Sequence, residues 1–160
     1  MRTLVSALLL VSVMTLVNAQ TNLSGGSISK DSVWTLAGSP YKVSGSITVN
    51  AGYNLVVDSG VVVRFQSGTN LYLNGNLRAR QAIFTSSKDT AGGTPARGDW
   101  SAIYPNSSTD TLRLDTCTVK FANSNIGSPT IPTNLQLQIS SPTSFFSISP
   151  VKAGKHTLIK

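Results

Sequence analysis

The chain has 160 residues and a formal net charge of +7, with 40% hydrophobic but only 12% charged residues, against a usual charged share of roughly 25%. Ser (23), Thr (17), Gly (13) and Asn (11) fill that gap and glutamate is absent, which excludes a helical bundle or coiled coil, since both need Ala- and Glu-rich, charge-paired segments. The length suits one domain, and the composition describes many short strands joined by turns.

In chain order, the first predicted element is an export signal. Arg2 precedes an apolar run from Leu4 to Val17, and Val17-Asn18-Ala19 places small residues where a signal peptidase reads them. Residues 1–19 are therefore expected to be a cleaved signal peptide, with Gln20 as the new N-terminus. A spanning helix needs about 20 apolar residues, and Asn18, Gln20 and Asn22 end this run too early. No cysteine at the cut invites a lipid anchor. The expected location is extracellular or at the cell surface, with no membrane span after cleavage.

Loss of Arg2 leaves twelve basic and six acidic residues. The basic ones are scattered (Lys42, Arg64, Arg78, Arg80, Lys88, Arg97, Arg113, Lys120), with only Arg78 and Arg80 forming a local pair. Solvated strand faces explain them better than a nucleic-acid surface, so no nucleic-acid partner is expected. Cys117 and His156 are the sole residues of their types, which excludes an internal disulfide, a Cys/His metal site and a Cys-His nucleophile pair. Cys117 reads as a small buried strand residue.

From Asn50 an eight-residue beat sets in. Asn50-Ala51-Gly52-Tyr53-Asn54-Leu55-Val56-Val57 is followed by Asp58-Ser59-Gly60-Val61-Val62-Val63-Arg64-Phe65 and by Gln66-Ser67-Gly68-Thr69-Asn70-Leu71-Tyr72-Leu73. Leu55/Val57, Val63/Phe65 and Leu71/Leu73 are expected to face inward, with Val56, Arg64 and Tyr72 on the other face, because strand side chains alternate. Gly52, Gly60 and Gly68 stand where a sharp corner needs positive φ. A fixed period of strand plus corner predicts an all-β solenoid, a parallel β-helix whose coils bury apolar side chains against one another. The alternative is an antiparallel β-sandwich, but its hairpin dipeptide appears only once, at Asn74-Gly75.

Ser27 to about Phe121 resembles secreted right-handed parallel β-helix proteins of the pectin-lyase-like superfamily, most of all the long surface and adhesin-type proteins of Gram-negative bacteria. The resemblance rests on Ser32-Val33-Trp34-Thr35-Leu36, Ser39-Pro40-Tyr41-Lys42-Val43, Gly45-Ser46-Ile47-Thr48-Val49, Val62-Val63-Arg64-Phe65, Leu73-Asn74-Gly75-Asn76-Leu77, Ile83-Phe84-Thr85-Ser86 and Gly98-Asp99-Trp100, in that order. It covers about three-fifths of the chain and implies an architecture far more than an activity. Two departures stand out. The connection Leu77 to Ile83 is shorter than the family's, which predicts a tighter corner or a shifted register. Ser101-Ala102 replaces the more usual Gly-Gly after Gly-Asp-Trp.

After Phe121 the beat is lost, and Pro129, Pro132, Pro142 and Pro150 fit loops and edges better than central rungs. Leu135 to Ile139 still alternates like a strand, and Phe145 to Ile148 could form another. The expected organisation is thus signal peptide 1–19, β-helix coils with their opening segment 20–121, and an irregular Pro- and Ser-rich segment 122–160. No polar cap is legible there, so a piece of a longer protein, a shifted reading frame and an unusual natural end all fit.

The superfamily resemblance implies polysaccharide lyase or hydrolase chemistry as the sharpest hypothesis. Glycoside hydrolysis ordinarily needs two carboxylates, and the supply is Asp31, Asp58, Asp89, Asp99, Asp110 and Asp115. The family's paired-Asp and Gly-His-Gly motifs are absent. Asp99 beside Arg97 is the nearest approach to a calcium-dependent lyase site; the plainer reading has Asp99 anchoring a turn and Trp100 packing at the end of a coil. Arg97-Gly98-Asp99 spells an adhesion tripeptide, and Asn22-Leu23-Ser24 and Asn106-Ser107-Ser108 match the glycosylation pattern; coincidence accounts for all three. Tyr41, Tyr53, Tyr72 and Tyr104 could make a sugar-stacking face. No catalytic, cofactor-binding or metal-binding residue is assigned and no cofactor is expected. The expected function is a non-enzymatic structural or adhesin-type β-helix, with partners among surface glycans or other cell-surface proteins and any glycan contact weak. The alternative is an N-terminal piece of a polysaccharide-processing or carbohydrate-binding β-helix protein.

Overall fold

A computed structural model describes residues 20–106, 111–124 and 126, and the backbone of 136–138. The predicted signal segment and most of the Pro-rich end lie outside these. The first coil comprises strands β1 (Thr21–Leu23), β2 (Gly26–Ile28) and β3 (Ser32–Trp34). A 3-10 turn at Leu36–Gly38 leads to β4 (Tyr41–Val43), β5 (Ile47–Val49) and β6 (Asn54–Val57). Next come β7 (Val62–Phe65), β8 (Asn70–Leu73) and β9 (Asn76–Arg80), then β10 (Ile83–Ser86), β11 (Ala102–Pro105) and β12 (Leu112–Asp115). The last described strands are β13 (Thr118–Val119) and β14 (Gln136–Gln138).

Every third strand pairs, always in parallel. The first sheet runs β1-β4-β7-β10-β13, the second β2-β5-β8-β11, and the third β3-β6-β9-β12-β14. The chain is a parallel β-helix, and the antiparallel sandwich is excluded by its pairing. The eight-residue beat is one side of a three-sided coil: Tyr41 lies beside Val63 and Val43 beside Phe65, 22 residues on. β14, inside the segment expected to be irregular, pairs with β12 and extends the third sheet.

The inward columns explain why these residues form these strands. Leu55, Leu77 and Leu112 stack on successive rungs of the third sheet, and Ile47, Leu71 and Ile103 on the second. Leu55, Val63, Phe65, Leu71, Leu77, Ile103 and Leu114 have no exposed surface, and Val57 and Leu73 are 1% exposed. All six positions expected to face inward do so, while Val56, Arg64 and Tyr72 alternate outward. Fully burying such a side chain contributes about 1.5–3 kcal/mol, and a column repeats that gain at every coil.

The corners after β6, β9 and β12, from the third sheet back to the first, share one left-handed position. It is Gly60 (φ 78) in one coil, Gln81 (φ 48) in the next and Thr116 (φ 53) in the third. The short Leu77–Ile83 connection is thus a tight corner with no slip of register, since Ile83 still meets Val62. Gln81 recovers part of the strain by accepting the Ser59 hydroxyl at 2.6 Å. Thr116 is β-branched, for which positive φ is least tolerable. Thr116→Gly is accordingly expected to stabilise the chain by about 1 kcal/mol, read as a higher denaturation midpoint; an unchanged or lower midpoint would place Thr116 outside the left-handed region. Gly75 has a different reason: a Cβ there would overlap the carbonyl oxygens of Asn50 and Tyr53 in the adjoining coil. Asn74-Gly75 therefore turns a corner between parallel sheets and is no hairpin.

Candidate functional site

Outside the solenoid, side chains repeat in ladders. On the second sheet Ser27, Thr48, Tyr72 and Tyr104 follow one another rung by rung. The rings of Tyr72 and Tyr104 meet edge to face, centroids 5.8 Å apart at 66°. Where this sheet turns into the third, an amide ladder borders it: Asn106 Nδ2 donates to Asn74 Oδ1 at 3.0 Å, and Asn50 Nδ2 donates to the Ser29 hydroxyl at 2.9 Å. On the far side of the corner Asp31 Oδ1 accepts the Asn54 backbone and side-chain N–H groups (2.9 and 3.0 Å), and Asn54 Oδ1 accepts Asn76 Nδ2 at 3.0 Å.

Of the four tyrosines expected on a sugar face, the structure joins two. Tyr53 stands half-exposed at the amide-lined corner. Tyr41 is a core residue, 6% exposed and stacked on Trp34 at 5.1 Å. Its hydroxyl accepts the Thr35 N–H at 2.8 Å and donates to the Thr35 carbonyl at 3.2 Å. The alternation within Tyr41-Lys42-Val43 places Tyr41 on the same side as Val43, and that settles its face.

The coil carrying β10 is longer because 87–101 joins the first and second sheets where 66–69 does so in the coil below. Asp99, 8% exposed, anchors that loop. It accepts the Ser86 hydroxyl (2.8 Å), the Ala96 backbone N–H (2.8 Å) and Lys88 Nζ (2.7 Å). Burial alone would raise its pKa, but the Lys88, Ala96 and Ser86 donors outweigh it and hold the carboxyl below its ordinary value. Trp100 follows, fully buried, stacked on Phe65 at 4.4 Å, with its indole N–H donating to the Lys120 carbonyl at 2.7 Å. Asp99 thus anchors a turn and Trp100 packs a coil end. The Arg97-Gly98-Asp99 tripeptide keeps its carboxylate engaged internally, which leaves an outside receptor little to grip.

Asp89 belongs to the other side of the same strand. It accepts the Thr85 hydroxyl at 2.7 Å and faces Lys120 Nζ at 3.0 Å. The Thr85 bond is the main reason its pKa lies below the ordinary value; burial opposes this and Lys120 assists. Thr85 and Ser86 are consecutive strand residues and point to opposite faces, so the strand stands between the two carboxylates. Asp115 pairs with Arg113 Nε at 2.7 Å. Asp58 borders a shallow depression on the third sheet with Arg78 and Arg80, and Asp110 lies outside the described residues. Among the described residues no three His, Cys, Asp or Glu side chains converge. Cys117 is fully buried, and burial pushes its thiol up to about 11.

Thr85 and Ser86 belong to the Ile83–Ser86 motif and Lys88 and Lys120 to the scattered basic residues, but sequence reasoning gave none of them a role as a partner of Asp89 or Asp99. One signal was available: Ser86 occupies the inward slot of a column that reads Val43, Phe65 on the coils below. No family model, no curated protein and no solved structure matches the chain.

Proposed function

We propose that the chain is a non-enzymatic segment of a secreted or cell-surface β-helix of the pectin-lyase-like kind, serving as a structural or adhesin-type spacer that makes weak contacts with neutral glycans. One observation carries the glycan part: Tyr72 and Tyr104 on neighbouring rungs of an open sheet face, bordered by the Asn50/Asn74/Asn106 amides. Aromatic faces offer an apolar platform to a sugar ring, and amides offer donors and acceptors to its hydroxyls. The non-enzymatic part draws support from how the carboxylates are used. Asp31, Asp89, Asp99 and Asp115 each hold a loop, a ladder or an ion pair, and none faces another across a cleft.

The test takes the exported chain, whose mass should correspond to a start at Gln20. Titration with neutral oligosaccharides is expected to give weak binding that Tyr72→Ala and Tyr104→Ala each reduce, since each substitution removes one of the two rings of the apolar platform. Incubation with pectate, alginate, chondroitin and xylan, with and without Ca²⁺, is expected to release no new reducing ends or unsaturated products. Turnover that disappears in Asp99→Asn would replace this reading with a polysaccharide lyase.

A further inference from the structure

The geometry points to an anionic lipid surface as the partner of the third sheet's outer face. Val33, Val56, Arg78 and Arg113 occupy one outward column, one residue per coil. Val33 is 56% exposed, and Leu36, at the corner bordering that sheet above Gly60, is 60% exposed. Two of the three large hydrophobic side chains exposed among the described residues thus stand at one end of a single face. At its other end Arg78 and Arg113 stack on successive rungs, about 4.8 Å apart. Like charges placed so are destabilising unless a counter-charge meets them. Arg113 Nε has Asp115, but Arg78 has no carboxylate within ion-pair distance among the described residues.

On the same strand as Arg78, Arg80 also points outward, beside Asp115 on the next rung and a depression of about 280 Å³ that Asp58 also borders. Asp115 is engaged by Arg113, however, and no ion pair reaches Arg80 among the described residues. The guanidinium groups of this face without an ion pair among the described residues are therefore Arg78 and Arg80. An acidic polysaccharide would satisfy these guanidinium groups and leave Val33 and Leu36 in water. An anionic bilayer satisfies both ends, because guanidinium forks pair with phosphate oxygens while the valines and leucine enter the headgroup–acyl boundary. The face spans three rung steps, about 14 Å, and lies on a different sheet from the Tyr72/Tyr104 pair.

The experiment is co-sedimentation of the exported chain with vesicles of phosphatidylcholine alone or mixed with phosphatidylglycerol. The chain is expected to partition onto the mixed vesicles only, and less as salt rises. Arg78→Gln and Arg80→Gln should each lower that partition about fivefold, the factor for one basic residue near an anionic surface. The double substitution Val33→Ser/Leu36→Ser should lower what remains at high salt. Lys42→Gln removes an equal charge from the first sheet and should change the partition less than about twofold. Unchanged circular dichroism establishes that each variant is folded. Equal binding to both vesicle types, binding to neither, or an equal loss in Lys42→Gln would overturn the proposal. So would Arg78-dependent capture of soluble dextran sulfate without vesicle binding, which would assign the face to acidic glycans.

Discussion

Leu71→Lys is expected to abolish folding, whereas Tyr72→Lys leaves the chain folded. Leu71 has no exposed surface and sits between Ile47 and Ile103 in an inward column of the second sheet. Its loss alone costs about 2–5 kcal/mol, and an ammonium buried without a partner adds several more. A domain with a total stability of about 5–15 kcal/mol does not survive that sum. Tyr72, one residue on, points outward and forfeits only its edge contact with Tyr104, worth about 0.5–1.5 kcal/mol. Circular dichroism and a denaturant titration of both variants check the pair. Equal tolerance would mean that the inward and outward faces are assigned the wrong way.

The second large effect is expected at Asp99. Asp99→Ala removes three hydrogen-bond partners at once, from Ser86, Ala96 and Lys88. Hydrogen bonds to a charged group are worth about 1.5–3 kcal/mol, and Ser86, 1% exposed, is left to find another acceptor. Lys88 is largely solvated, which discounts its share. A net loss of about 2–4 kcal/mol follows, with the 87–98 loop released and the cover over Trp100 loosened. Limited proteolysis should cut Asp99→Ala within that loop and leave the parent chain intact there; equal resistance would show that Asp99 does not anchor it. The same site sets a pH dependence. Asp89 and Asp99 both titrate below their ordinary values in the folded chain, so their contribution is fully present above the unfolded carboxyl pKa, near 4. It is lost as pH falls through the lower folded values. The denaturation midpoint of the parent chain should therefore drop below about pH 4, and more steeply than that of Asp99→Asn.

The solenoid was legible because each rung repeats its pattern: Leu55/Val57, Val63/Phe65 and Leu71/Leu73 announce both the strand and the side that is buried. What the beat does not disclose is that three of its units close one coil. Strand partners lie about three units apart in the chain, as Tyr41 and Val63 do, and no local motif marks that closure. Tyr41 does not join the sugar face expected of it, because the column of Tyr41, Val63 and Phe84 makes it core. The loop anchor escaped notice for another reason. Asp99 is legible as a turn residue, but Ser86 and Lys88 become its partners only when the loop folds back across β10, a tertiary contact with no periodic signature. The Arg78/Arg113 column is equally invisible in sequence, since its members are 35 residues apart and adjacent only through the register of β9 with β12.

Cross-linking across that register tests the parallel coil most directly. In a Cys117→Ala background, Lys42→Cys with Arg64→Cys puts two thiols on neighbouring rungs of the first sheet. Their Cα atoms are then about 4.8 Å apart, within the span a disulfide bridges. Lys42→Cys with Thr85→Cys places them two rungs apart, about 9.6 Å, which is too far. Mild oxidation of the native chain is predicted to close the 42–64 pair rapidly and to leave 42–85 as free thiols, read by mass and thiol titration. Closure of 42–85, or failure of 42–64 in a folded chain, would contradict the parallel β-helix.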